Sequence, residues 1–150
     1  KAGRHHAGAE DRAAMVALAV RGEPGLACER VELEREGPSY TVDTVRSLRA
    51  AIPSAEWTVL IGSDAAVDLP QWKEPEALRA LARVVVFHRA GAPPPPAGLE
   101  VVAVPQFDLS STEIRTRIQA GRSIRFMVPE SVAEYIAARR LYQQEAGKAC

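Results

Sequence analysis

The stretch Asp108-Leu109-Ser110-Ser111-Thr112-Glu113-Ile114-Arg115 places three hydroxyls, a helix start and a guanidinium within one turn. Ser110 and Glu113 have the spacing of a capping box, in which side chains satisfy the first amides of a helix. Those amides carry partial positive charge and favour an anion. Arg115 follows Ser111 by one turn, so the two share a helix face. Its forked guanidinium can hold phosphate oxygens. Hydroxyl, amides and arginine together suit a polyphosphate. An ordinary capped surface helix with an exposed arginine accounts for the same eight residues.

Further candidates lie upstream. Gly62 follows an apolar run and lets a ligand approach the backbone closely. Asp64, two residues on, can accept hydrogen bonds from a ribose or cap the next helix. Trp72 lies in the polar loop Leu69-Pro70-Gln71-Trp72-Lys73, where it either covers the core edge or offers a flat aromatic platform. Tyr40 and Thr41 stand at a helix start. Arg89 ends an apolar run, where a charge meets either ligand or water. His5 and His6 have no zinc-ligand spacing, and neither do Cys28 and Cys150. No resident metal is expected.

These residues need elements to hold them. Apolar positions Ala14, Met15, Leu18 and Ala19 predict a helix over residues 10–20, closed by Gly22, Pro24 and Gly25. Val31 and Leu33 alternate with Glu, predicting a short strand over 26–33. Gly37-Pro38 predicts a turn. A helix capped by Ser39 or Thr41 follows, with Val42, Val45, Leu48 and Ile52 on one side, and Pro53 stops it. Residues 57–61 read as a strand buried on both faces. Short helices over 65–69 and 74–81 precede a buried strand over 84–87. Pro93 to Pro96 form a stiff link. A fourth strand is predicted over 101–104, and helices over 110–119 and 129–139, with Pro129 at the first helical position. Alternating strands and helices imply an α/β fold with a mainly parallel sheet. Ligands of such sheets bind beyond the carboxyl ends of the strands, where the turns at residues 62–64 and 110–115 are expected to converge.

The chain has 150 residues, one domain's worth, and no linker that would divide it. Its 19 basic and 19 acidic residues cancel, which argues against nucleic acid as an electrostatic partner but leaves room for a small anion. No apolar run approaches the ~20 residues that span a bilayer, and no signal-peptide core follows the basic first residues. A cytoplasmic protein with reduced thiols is expected. Monomer and homo-oligomer both remain compatible with these numbers.

In its motifs the chain resembles the bacterial nicotinate-mononucleotide adenylyltransferases of the nucleotidyltransferase α/β superfamily. Residues 109–115 are similar to that family's "ISSTxIR", with Leu109 for Ile. Ser39-Tyr40-Thr41 and Asp43-Thr44 resemble "SYTxDTL", with Val45 for Leu. Residues 61–65 resemble "IGxDA", Trp72 stands where the family has a Trp, and Arg89-Ala90-Gly91 resembles "RPG". Pro129 through Tyr142 resembles the closing "VPxxVxxYI…LY". The likeness runs in order from about residue 9 to 143.

The resemblance implies a Rossmann-like nucleotidyltransferase fold and adenylyl transfer from ATP, with Mg²⁺, to nicotinate mononucleotide. It implies ATP contacts at Gly62, Asp64, Ser110, Ser111, Thr112 and Arg115. It implies nicotinate-nucleotide contacts at Tyr40, Thr41, Trp72 and Arg89. The family's opening "GGxFDPxHxGH", whose histidines assist transfer, has no counterpart here, so no catalytic residue is assigned. The first strand is therefore expected to be missing, the protein to continue upstream of Lys1, and residues 1–150 alone to lack transfer. Alternatives are a non-catalytic nucleotide-binding or assembly module, and an adenylyltransferase with another acceptor such as pantetheine phosphate. Tyr40, Thr41 and Trp72 favour the nicotinate nucleotide.

Overall fold

A computed structural model describes residues 7–88, 94–105 and 107–143. In chain order these form α1 (Ala9–Ala19), α2 (Thr41–Ala51), β1 (Thr58–Gly62), α3 (Ser63–Asp68), a 3₁₀ turn (Leu69–Gln71), α4 (Pro75–Leu81), β2 (Arg83–His88), β3 (Glu100–Ala103), α5 (Ser111–Gln119) and α6 (Glu130–Ala138). The chain divides into two compact units, Glu34–Phe107 and the two segments that flank it.

The central unit is the α/β part. β1, β2 and β3 lie side by side in that order, and both pairings are parallel, as the alternation of elements predicts. Thr58 pairs with Arg83 and Gly62 with Phe87, so the ends of β1 and β2 are level. Val42 and Val45 of α2, Ala66 of α3 and Leu78 of α4 join Ile61, Val84 and Val86 in one core. Leu69 and Leu78 are essentially sealed from solvent, a burial that contributes about 1.5–3 kcal/mol for each side chain.

The sheet departs from expectation on its other face. Residues 57–61 read as buried on both sides, yet Ile61 is 8% exposed and Leu60 55%. Period-two alternation puts them on opposite faces, and among the described residues α2, α3 and α4 fill only the Ile61 side. The strand predicted over 26–33 is likewise absent. The Glu29 carboxylate accepts from the amides of Arg30 and Val31 at 2.7 and 3.0 Å, and the Leu33 amide donates to Arg30 O at 2.8 Å. Local acceptors thus take the donors a ladder would need.

Helix ends shift by a residue or two. α2 begins at Thr41 behind Tyr40, and neither Ser39 nor Thr41 caps it through a side chain. Ile52 falls just past its end and is exposed. α4 begins at Pro75, because Glu74 adopts φ 49°, a left-handed conformation that no helix continues. Pro129 precedes α6 rather than opening it.

The flanking unit packs Ile124, Val132 and Ile136 against Met15, Leu18, Ile114 and Ile118, so Met15 and Leu18 of the expected α1 stripe join this core while Ala19 is exposed. Tyr135 Oη donates to Asp11 Oδ1 at 2.9 Å, and Arg139 Nε reaches the same oxygen at 3.2 Å, tying α6 to α1.

Candidate functional site

Gly37, at φ 84°, turns the chain into the start of α2. Tyr40 is the residue before the helix, and its carbonyl accepts from the amides of Asp43 and Thr44 at 3.0 and 3.1 Å. No side chain caps the first turn, so the amides of Thr41 and Val42, ahead of those two, keep their donor capacity among the described residues. Beside them lies a cavity of about 320 Å³ walled by Ser39, Tyr40, Thr41, Gln71, Trp72 and Lys73. The buried Leu69 anchors the 3₁₀ turn, and the Trp72 amide donates to Leu69 O at 3.1 Å, which fixes the main chain at Trp72. Trp72 is half-buried: it packs on the core and also lines the cavity.

A chain of charges braces this wall. Lys73 Nζ donates to Asp43 Oδ2 at 2.8 Å and sits 4.9 Å from the centre of the Tyr40 ring. Asp43 Oδ1 accepts from Arg46 at 3.3 Å, and Arg46 forks onto Glu74 at 3.2 and 2.6 Å. The Lys73 hydrogen bond holds the Asp43 carboxyl below its ordinary range, and Arg46 does the same to Glu74. Glu74 in turn raises the Arg46 guanidinium. Sequence reading missed this network. Only the Asp43–Arg46 spacing was visible, since Lys73 and Glu74 lie 28 to 30 residues away.

Gly62 and Asp64 sit at the carboxyl end of β1 in the same unit. Asp64 is exposed in the first turn of α3 and does not cap it. The residue before α3 is Gly62, and no side chain caps this helix. A Cβ at Gly62 would meet nothing within 4 Å, so the backbone there is open to approach. Between them, Ser63 is 2% exposed, with Oγ 3.3 Å from Phe87 O and 3.0 Å from His88 Nδ1. One hydroxyl proton serves both contacts only if Nδ1–H donates to Oγ while Oγ–H donates to Phe87 O. In a neutral imidazole that arrangement leaves His88 Nε2 as an acceptor. This serine–histidine pair also escaped sequence reading, because it depends on the β1–β2 register. Arg89 lies outside the described residues.

In the flanking unit Ser110 is the cap expected of it: the Glu113 amide donates to Ser110 Oγ at 3.1 Å. Ser111 and Thr112 open α5, and Arg115, half-buried, donates to Thr112 Oγ1 at 3.1 Å. Ser111 and Arg115 share the wall of a mainly apolar cavity of about 380 Å³ with Arg12, Met15, Ile136 and Tyr142. Arg12 reaches the Ala7 carbonyl at 2.9 Å. Among the described residues neither guanidinium pairs with a carboxylate. Hydroxyl, arginine and apolar floor suit an anionic group carried on an apolar or planar body. Among the described residues no three His, Cys, Asp or Glu side chains gather closely enough to hold a metal, and no helix is long and apolar enough to cross a membrane.

Residues 1–117 match the cytidylyltransferase-like family model. The chain belongs to the cytidylyltransferase-like family. Within the family it is 46% identical over 134 residues to a probable nicotinate-nucleotide adenylyltransferase of Geobacillus thermodenitrificans, covering 89% of this chain and 62% of that one. It is 45% identical over 137 residues to the protein of that name from Thermus thermophilus, covering 90% and 74%. The chain thus spans roughly two thirds of the length of these relatives. Its fold is similar to Plasmodium falciparum nicotinic acid mononucleotide adenylyltransferase complexed with NaAD, with TM-score 0.56 and 19% identity over 70% of this chain and 58% of that one. A putative nicotinate-nucleotide adenylyltransferase from Vibrio parahaemolyticus aligns with TM-score 0.51 and 20% identity, over 71% and 54%. The parallel sheet flanked by helices is therefore the Rossmann-like fold of the nucleotidyltransferases.

Proposed function

We propose that this chain belongs to a cytoplasmic enzyme that transfers the adenylyl group of ATP to nicotinate mononucleotide. A 5′-phosphate oxygen of the mononucleotide attacks the α-phosphorus, and the bond to the β-phosphate bridging oxygen breaks. The products are nicotinate adenine dinucleotide and pyrophosphate. The observation that carries this reading is the cavity at the start of α2. Its aromatic wall, Trp72 and Tyr40, suits a planar pyridine, and uncapped amides beside Thr41 suit a carboxylate. The names of the relatives at 45–46% identity support the same acceptor.

The chemistry asks the protein mainly to position both phosphates and to neutralise the leaving charge. Ser111, the first amides of α5 behind Ser110 and Thr112, and Arg115 take the β- and γ-phosphates in this reading. Asp64 takes the adenosine ribose, and Gly62 leaves room for it. Arg89 takes the nicotinate nucleotide together with Tyr40, Thr41 and Trp72. ATP enters as its magnesium complex, the ion riding on phosphate oxygens. We assign both units to one nucleotidyltransferase domain, a reading supported by a family match that runs through residues 1–117.

The test is product formation by the full-length protein from magnesium ATP and either nicotinate mononucleotide or pantetheine phosphate, followed by mass spectrometry. Nicotinate adenine dinucleotide and pyrophosphate are expected. Turnover with pantetheine phosphate alone would move the protein to another acceptor. No product with either acceptor would make it a non-catalytic nucleotide-binding or assembly module.

A further inference from the structure

The cavity at the start of α2 has one cationic wall, and the assigned binding residues do not include it. Lys73 lines the cavity next to Trp72 and lies against the Tyr40 ring. An ammonium has three donor hydrogens. Asp43 Oδ2 takes one, at 2.8 Å, and no other acceptor within hydrogen-bonding reach engages Lys73 among the described residues. The ammonium is held at two points, by the carboxylate and over the Tyr40 ring, so part of the side-chain freedom is already spent before binding. Asp43 is itself shared with Arg46, which weakens its hold on Lys73 relative to an isolated pair.

We infer that Lys73 is a specificity determinant that selects an anionic pyridine-3-carboxylate over the neutral carboxamide. The inference rests on the proposed nicotinate-nucleotide reading and assigns a further residue to the same cavity. A carboxylate can accept from the two remaining ammonium hydrogens. A carboxamide offers one acceptor oxygen and an NH₂ whose donors find no acceptor on an ammonium. The discrimination thus has an attractive half and a mismatched half. The uncapped amides at the start of α2 act in the same direction but equally in any variant of Lys73, so the two contributions can be separated.

Calorimetric titration of the full-length protein with nicotinate mononucleotide and with nicotinamide mononucleotide reads the selectivity directly, without depending on transfer. The wild type is expected to bind the nicotinate form at least about tenfold more tightly, the scale of a charge-assisted hydrogen bond. Lys73→Met should lower that ratio by about tenfold, with most of the loss on the nicotinate side. Lys73→Arg should restore much of it. Asp43→Asn separates a ligand contact from a mere brace: it breaks the ion pair but keeps the ammonium, so selectivity should hold or rise. Equal loss of both ligands in Lys73→Met, or the same loss in Asp43→Asn, overturns the inference and makes the pair structural. Unchanged selectivity in Lys73→Met overturns it too, while leaving the nicotinate-nucleotide reading intact. A wild type that binds neither mononucleotide overturns both.

Discussion

Arg115 and Trp72 allow the two halves of the proposed reaction to be tested independently. Arg115 has one described bond, to Thr112 in the same turn, so its removal strands no distant partner. Arg115→Ala should weaken ATP binding by about 1.5–3 kcal/mol, the range for a hydrogen bond to a charged group, with little change in melting temperature. Trp72 has a double role, wall and core, so Trp72→Ala should carry two signatures. Affinity for nicotinate mononucleotide should fall while ATP affinity stays near wild type. Stability should also drop, by part of the roughly 3–5 kcal/mol typical of a fully buried Trp→Ala change. Calorimetry with each nucleotide and a thermal melt read all of these quantities. Unchanged ATP affinity in the first variant would remove Arg115 from the site. Loss of stability with normal nicotinate affinity in the second would leave Trp72 a core residue only.

At the scale of elements, the start of α2 and the loop leading into α4 are joined by the Lys73–Asp43–Arg46–Glu74 chain. Asp43 and Glu74 have carboxyls held below their ordinary range by Lys73 and Arg46 respectively. A depressed folded value favours the fold only where the unfolded carboxyl is already ionised. The contribution is therefore complete above about pH 5 and disappears as pH falls through the unfolded values and then the lower folded ones. An Asp43→Asn, Glu74→Gln double variant should melt slightly below wild type at neutral pH. The gap should stay flat down to about pH 5 and close at lower pH. Because these side chains are partly exposed, about 0.15 M salt should shrink the neutral-pH gap relative to low salt. A gap that widened in acid would mean the network is not what depresses these carboxyls. The opposite pattern belongs to α1 and α6. The Asp11 hydrogen bond raises the Tyr135 phenol, so that contact persists through neutral pH and is lost only as alkali removes the proton.

Across the 150-residue chain as a whole, charge balance is the property that bears on association. With 19 basic and 19 acidic residues the net charge is zero at pH 7, and the pI is about 7.0. Self-repulsion vanishes there, while one face of the described sheet leaves Leu60, Phe87 and Val102 open. Solubility should therefore pass through a minimum near neutral pH and recover a unit or two on either side. Static light scattering across that range checks it, and a flat profile would show that association is not limited by net charge.

What the residues determined alone was local chemistry. The Ser110 cap, the start of α5, the Gly37 turn and the parallel α/β alternation follow from short-range hydrogen bonding and periodicity. They were legible because each needs only neighbours in the chain. The motif likenesses at residues 39–45, 61–65 and 109–115 pointed to the family for the same reason. The tertiary structure decided what depends on distant partners. Residues 26–33 alternate like a strand, but their amides turned to Glu29 and Arg30, since a strand exists only against a neighbour's ladder. Leu60 and Ile61 are adjacent and equally apolar, and only the placement of the helices made one core and the other surface. The cationic wall at Lys73 and the Ser63–His88 pair arise from contacts spanning 25 to 30 residues. No spacing rule reaches that far, because the register of β1 against β2 and the docking of α2 on α4 are set by packing.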